Sequence, residues 1–500
     1  MVMAKLPPTI LEQYELVVGL EVHCQLLTKS KIFSADPTSF GDAPNTNISV
    51  VTLAHPGTLP KFNRQAAELA IRMGLACGCD ISRYNVFDRK NYFYPDLPKG
   101  FQTTQDKTPI CRGGQVAVRF KHPETKQQVA GLVRLNRIHL EEDAGKSIHL
   151  DGAPETLIDL NRAGTALIEI VTDPVIRYAE EAGAYLAEVR RLVRYLDVCD
   201  GNMEAGSMRC DANVSVRRRG DAQLGRKVEV KNMNSIRNVQ RAIEHEFVRQ
   251  VELLEAGSPI VSETRLFNAD TGLTFPMRTK EELNDYRYFP EPDLPPFVVS
   301  EELLASLRAS QPPLPQELEA KFVAEYGLPE YDAGVLTDDK ATAQYYEQVV
   351  APWVDGPAAP LKAASNWLMG PIRSYLNEHN LDMAAFPLAP EKLRELIGLV
   401  EQGKLSFSAA TKELLPAVLA RPEQPALALA AELHLLHDSS EDSIAPLIRE
   451  VLAKYPTEVL AYKKGKKNLL GMFMGEVMKA SKGKIDPKKA NDLVRVALEA

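Results

Sequence analysis

The segment VVGLEVHCQL, residues 17–26, alternates in character with a period of two. In an extended chain Leu20, Val22, Cys24 and Leu26 fall on one side, and Glu21, His23 and Gln25 on the other. The spacing predicts a strand with one apolar and one polar face. SMRCDANVSVR (207–217) reads the same way. There Met208, Cys210, Ala212, Val214 and Val216 oppose Ser207, Arg209, Asp211, Asn213, Ser215 and Arg217. In KVEVK (227–231), Val228 and Val230 alternate with Lys227, Glu229 and Lys231. A polar sheet face by itself only requires water, because antiparallel sheets commonly expose one side. ALIEIV (166–171) is different: Glu169 interrupts an otherwise apolar strand. A carboxylate buried ionised and alone costs several kcal/mol, so Glu169 needs a partner, and a metal ion is one candidate.

Two helices are clear among these strands. Between Tyr178 and Leu196, the residues Tyr185, Leu186, Val189, Leu192, Val193 and Leu196 recur at helical spacing. Asn234-Ser235 supplies capping residues before IRNVQRAIEHEFVRQVELLEAG, and Gly257 supplies a stop. The proline-dense YFPEPDLPPF (288–297) marks a boundary. Beyond it the patterns are almost all helical, with breaks at APWVDGPAAP (351–360) and RPEQP (421–425). The expected fold class is α+β: a body at 1–295 on an antiparallel sheet, an all-α domain at 296–410 and a small α-helical tail at 411–500.

A chain of 500 residues has room for two to four domains, and 45% apolar with 25% charged residues is ordinary for a globular protein. No apolar run approaches membrane-spanning length, and MVMAKLPPTILEQYEL is no secretory signal. Six cysteines are too few for a disulfide scaffold at this length, so the cytoplasm is the expected compartment. Cys77 and Cys79 form a C-x-C pair without a second pair at zinc spacing, and read as reduced thiols at a helix end. The net charge of −8 is unevenly spread: Lys463 to Lys489 carries nine lysines against two acids. A basic end on an acidic body suggests that one region meets a polyanion.

HLEEDAGKS (139–147) ends like a phosphate-cradling P-loop, but that motif requires glycine at 140, where Leu140 stands. Glu141, Glu142 and Asp143 would then repel the phosphate. These acids are either a solvated turn or oxygen ligands for a hard cation. Mg2+ takes one or two carboxylates and keeps waters and phosphate oxygens. Glu21, His23, Glu142 and Glu169 would supply such a set if the strands bring them together, His23 being the least usual ligand of the four. FDRKNYFYPDLPKGFQ (87–102) crowds basic and aromatic residues around proline turns, and its Lys90 can meet a phosphate as a point charge.

Together these segments closely resemble the B subunits of the tRNA-dependent amidotransferases, which act on misacylated Glu-tRNA(Gln) or Asp-tRNA(Asn). The resemblance is carried by VVGLEVHCQL, SKIFS, HPGTLP, FDRKNYFYPDLPKGFQ, LEEDAGKS, DLNRAGTALIEIVTDP, GSMRCDANVS, NMNSIRNVQRAIEHE, DYRYFPEPDLPP, SNWLMG and GEVMKASKGKIDP, in family order from about residue 14 to the end. It implies a cradle domain related to the catalytic fold of glutamine synthetase, then a helical domain and a YqeY-like tail. It implies ATP- and Mg2+-dependent phosphorylation of the carboxylate on the tRNA. It also implies amidation by ammonia from the A subunit, a glutamine-hydrolysing amidase (glutaminase), with a small C subunit holding the two larger chains together. The family's metal positions fall on Glu21, His23, Glu142 and Glu169. Lys90 and Asp211, and with them Glu204 and Arg209 in NMEAGSMRCD, match its kinase centre, Lys90 and Arg209 toward ATP. The basic tail, with Lys463, Lys464, Lys466, Lys467, Lys479, Lys482 and Lys484, matches its tRNA-binding element.

Some family members carry a cysteine zinc knuckle where this chain has Ser34, Asp36, Ser49 and Thr52, so no structural zinc is expected. Two other readings stand beside this one. One is a tRNA-binding module in which the acids are structural. The other is a self-contained ligase that joins free ammonia to a small carboxylic acid.

Overall fold

The computed structural model describes residues 7–150, 152, 154–279, 286–437, 441–481 and 485–499. The chain divides into two compact units, Met1–Leu314 and Pro315–Ala500.

The first unit is organised by a ten-stranded sheet. Its central members are β1 (Tyr14–Gln25), β2 (Gln128–Glu142), β3 (Ala166–Thr172), β4 (Met208–Arg218) and β5 (Val228–Met233). β6 (Glu263–Asn268) and β7 (Leu273–Thr279) complete one edge. The order is β7-β6-β5-β4-β1-β3-β2, followed by the short strands Cys111–Arg112 and Asp80–Ile81, while Gln115–Lys121 also pairs with β2. The pairings are antiparallel except β5 with β6. β1 lies between β3 and β4, so residues distant in sequence meet at its two sides.

The apolar residues of the alternating pattern face one side. Leu20, Val22, Cys24, Ile168, Ile170, Ala212 and Val214 are fully buried there in one core with three helices. These are α1 (Arg64–Ala76), α2 (Ala179–Tyr195) and α3 (Ile236–Glu255). Asn63 caps α1 by accepting from the Gln65 backbone N–H, and Ser235 caps α3 by accepting from that of Asn238. Gly257, at φ +68, takes the left-handed conformation just past α3. A helix at Glu301–Ala309 contributes Leu304 and Leu307 to the same core, so the first unit runs through the proline-rich segment as far as Leu314.

The second unit is helical among its described residues. Toward the end of the chain, Ile444, Ile448, Val451, Tyr462, Phe473, Val477, Val494 and Leu498 form a core of their own. Phe473 and Val477 come from the helix Leu470–Ala480, and Leu469 and Leu470 pack against this core. Lys463, Lys464, Lys466, Lys467 and Lys479 are exposed. Lys482 and Lys484 lie outside the described residues. No helix among the described residues is long and apolar enough to cross a membrane.

Candidate active site

The polar face of the sheet gathers its charged groups by register. Across the β1–β3 ladder His23 pairs with Glu169, and across β1–β4 it pairs with Arg209. Glu21 pairs with Asp211. Glu169 pairs on its other side with His139 of β2. Paired residues in adjacent strands point to the same face. Residues 139 and 141 share that parity, so Glu141 joins the group and Glu142 does not.

The result is two clusters. In the first, one ligand atom from each of His23, Glu141 and Glu169 lies within 4.8 Å of the others. His23 Nε2 stands 3.7 Å from Glu141 Oε1 and 3.5 Å from Glu169 Oε2. In the second, Glu21, Asp211 and Glu229 meet the same 4.8 Å criterion. The Lys231 ammonium pairs with Asp211 and lies 3.1 Å from Glu229 Oε1. Asn213 Nδ2 donates to Glu21 Oε1 at 2.9 Å.

The expected quartet is therefore divided. His23 and Glu169 are together, Glu21 belongs to the neighbouring cluster, and Glu142 is engaged elsewhere. Glu142 pairs with the Lys99 ammonium, and its Oε1 accepts the Thr103 backbone N–H at 2.7 Å. The physical reason is the strand period: two consecutive acids cannot share one face of a regular strand. Sequence reading missed Glu141 and His139 as members of the group. The usable signal was their i, i+2 spacing in HLEEDAGKS.

Lys90 comes from a small sheet of Asp88–Asn91, Phe101–Thr104 and Phe289–Pro290. Its Nζ lies 4.9 Å from the Tyr286 ring centroid and 5.8 Å from that of Tyr92. Burial alone would lower its pKa, but Glu141, aided by Tyr288, Tyr286 and Glu169, raises it overall and keeps the ammonium charged. Arg209 donates to Asp143 Oδ2 at 2.7 Å, and Gln25 donates to the same oxygen at 2.8 Å. Asp143 is buried, which favours its neutral form, yet Arg209 and Arg162 hold its pKa below the ordinary carboxylate range. Glu204 is exposed in a turn where its backbone N–H donates to Asn202, and it belongs to neither cluster.

The electrostatics follow from burial and proximity. Burial opposes charge on His23, but Glu169 and Glu141 outweigh it and raise its pKa to about 9. Burial likewise works against charge on Glu169, and the two imidazoles overcome it, holding its carboxyl well below its usual range. Glu21 is pushed up, first by burial and then by Glu169. Lys231 is pushed up despite burial, by Asp211 and Glu229.

A cavity of about 280 Å³ is lined by Lys31, Arg89, Lys99, Glu142, Asp143 and Glu291 among others, and by no member of either cluster. The G-K-S of 145–147 holds no phosphate-loop geometry. Gly145 lies where a Cβ would stand 2.9 Å from the Asp96 carbonyl oxygen and 3.0 Å from that of Asp159. Ser147 Oγ donates to Asp96 Oδ2 at 3.1 Å. The residues at the family's zinc-knuckle positions form a hydrogen-bonded knot. Asp36 Oδ2 accepts from Ser34 Oγ at 3.0 Å, from Ser49 N and Oγ at 3.0 and 2.9 Å, and from Thr52 Oγ1. These donors outweigh partial burial and keep the Asp36 pKa low.

The sheet face sets carboxylates and imidazoles beside a charged lysine, a donor set of the kind that holds a metal ion. The chain belongs to the family of the GatB/GatE catalytic domain, whose model matches residues 16–305, and the model of the GatB domain matches residues 344–498. It is 48% identical to the B subunit of the aspartyl/glutamyl-tRNA(Asn/Gln) amidotransferase of Synechococcus sp. (strain JA-3-3Ab), over 97% of this chain and 98% of the relative. It is 47% identical to the protein of the same name from Ralstonia pickettii (strain 12J), over 98% of this chain and 100% of the relative. The corresponding protein of Thermosynechococcus vestitus is 48% identical over 96% of each chain.

Proposed function

We propose that this chain is the B subunit of an amidotransferase that converts Glu-tRNA(Gln) or Asp-tRNA(Asn) to the amidated form with ATP. The observation that carries this reading is the meeting of His23, Glu141 and Glu169 on one sheet face, with Lys90 held charged nearby. The sheet with helices on its apolar face supports the cradle reading for 1–295. The exposed lysines at 463–467 support tRNA contact by the tail at 411–500, joined to the cradle through the helical domain at 296–410.

A carboxylate and ammonia do not condense at neutral pH, because oxide is too poor a leaving group. In this reading the tRNA-borne carboxylate attacks the terminal phosphorus of ATP, ADP leaves, and an acyl phosphate forms. Ammonia then attacks the acyl carbon and phosphate departs. The donor set of two carboxylates and an imidazole fits a divalent cation: His23, Glu141 and Glu169 would hold Mg2+, which would supply charge to offset that of the phosphates. Lys90 adds positive charge where two anions must approach. In this reading Asp211, which pairs with Lys231, takes a proton from the attacking nitrogen. Arg209, fixed by Asp143, offers its remaining donors to phosphate. A glutamine-hydrolysing amidase, the A subunit of the complex, supplies the ammonia. A small C subunit ties that amidase to this chain, and the complex works in the cytoplasm.

The deciding experiment is transamidation of both misacylated tRNAs by the reconstituted complex, with and without ATP and Mg2+. Amide formation on either tRNA that depends on both is expected. Amide formation on a free acid in place of tRNA would sink the reading.

A further inference from the structure

Lys31 is a lysine only 1% exposed. Among the described residues its ammonium has one hydrogen bond, to the Leu160 carbonyl at a long 3.4 Å, and no ion pair. The carboxylates around it are committed elsewhere. Asp36 Oδ2 accepts from the hydroxyls of Ser34, Ser49 and Thr52. Asp159 Oδ1 accepts the backbone N–H groups of Asn45 and Asn161, at 3.1 and 3.0 Å. Glu142 pairs with Lys99. A buried ammonium without a counter-charge is costly. Burial accordingly outweighs the pull of Asp36, Asp159 and Glu142, and lowers the Lys31 pKa to about 8.

Lys31 lines the cavity of about 280 Å³. Every other lysine, arginine and carboxylate of that lining is matched. Arg89 pairs with Glu291 and Asp293, Lys99 with Glu142, and Asp143 with Arg209 and Arg162. The cavity is therefore short of one negative charge. A phosphate dianion would bring a surplus beside four carboxylates, whereas a single carboxylate would close the balance. Phe33, Leu97 and Phe101 also line the cavity and suit a short carbon body. Its volume lies near the lower end for small-ligand pockets, roughly 300 Å³.

We propose that this cavity is a binding site for a small monocarboxylate, whose carboxylate supplies the counter-charge that Lys31 lacks. No residue of either acidic cluster lines it, so the site does not depend on the reading of His23, Glu141 and Glu169 as a cation site.

The test uses the full chain with three probes: butyrate, its neutral isostere butyramide, and inorganic phosphate. Binding of the two organic probes is read by saturation-transfer difference NMR. Access to Lys31 is read by its rate of acetylation with acetic anhydride, followed by peptide mass spectrometry. Saturating butyrate should slow that acetylation about tenfold or more by occupying the site. Butyramide and phosphate should leave it unchanged. Lys31→Met, which keeps the stem and removes the charge, should weaken butyrate binding about 10- to 100-fold. Absence of butyrate binding, equal protection by butyramide, or stronger protection by phosphate would each overturn the proposal. Undiminished butyrate binding by a folded Lys31→Met would do the same. If Lys31→Met fails to fold, protection of the unmutated chain decides. If Lys31 resists acetylation altogether, the NMR comparison of butyrate with butyramide decides.

Discussion

Glu169 faces His23 directly across the ladder between β1 and β3, and its Oε2 stands 3.5 Å from the imidazole Nε2. A carboxylate that interrupts an apolar strand has thereby found its partner, contributed by a strand far away in sequence. Glu169→Gln preserves shape and removes the charge that holds the pair. In the reconstituted enzyme, ATP-dependent amide formation should fall about 100-fold or more. tRNA affinity, measured by filter binding, should stay unchanged; a parallel loss of tRNA binding would favour a purely structural role for the acids.

Adjacent glutamates should behave differently. Glu141 lies in the first cluster, while Glu142 is held by Lys99 and the Thr103 backbone. Glu141→Gln should weaken Mn2+ binding about tenfold or more, and Glu142→Gln by no more than about threefold. Equal losses in the two titrations would mean that Glu142 swings into the cluster when the cation arrives.

The His23 ring has a pH signature. Its pKa moves from 6.5 in the unfolded chain to about 9, because Glu169 and Glu141 outweigh burial. A base whose pKa is raised on folding stabilises the fold fully below the unfolded value and loses that contribution as pH climbs through the folded one. The melting temperature of the metal-free chain should therefore decline between about pH 6.5 and 9, and His23→Gln should flatten the decline. Mn2+ competes for the neutral ring, so its affinity should rise across the same window. A melting temperature that rose with pH there, and was insensitive to His23→Gln, would contradict the pairing.

Gly145 is required by its surroundings rather than by phosphate. Two carbonyl oxygens sit about 3 Å from where a Cβ would be, and neither can rotate away as a side-chain end would. Gly145→Ala should destabilise the first unit by about 1–3 kcal/mol in urea unfolding. An unchanged midpoint would show that the loop relaxes freely.

The exposed lysines at 463, 464, 466 and 467 offer a test by salt. Replacing all four by alanine should weaken tRNA binding and flatten the plot of log affinity against log salt, by roughly 0.7–0.9 for each phosphate no longer neutralised. The melting temperature should barely change, because none of the four is buried. An identical salt slope would place the tRNA elsewhere.

Much of the first unit was legible in the chain itself. The period-two alternation in β1, β4 and β5 is a local property of extended backbone, and it correctly assigned which residues face the core. The two long helices were legible for the same reason, with Ser235 and Gly257 at the ends of α3. The core contribution of the helix at Glu301–Ala309 was not legible, because a proline-rich run says where regular structure pauses and not which core the next helix joins.

Residue type and alternation determined by themselves that a polar sheet face bearing Glu21, His23, Glu169, Arg209 and Asp211 would exist. Only the tertiary structure decided how that face is partitioned. Strand order put β1 between β3 and β4, and register sent Glu21 toward Asp211 and His23 toward Glu169. The parity of β2 brought in His139 and Glu141 and turned Glu142 toward Lys99. Side-chain direction along a strand follows from neighbouring peptide units, whereas the identity of the facing strand depends on contacts between segments well over a hundred residues apart, which no local pattern encodes.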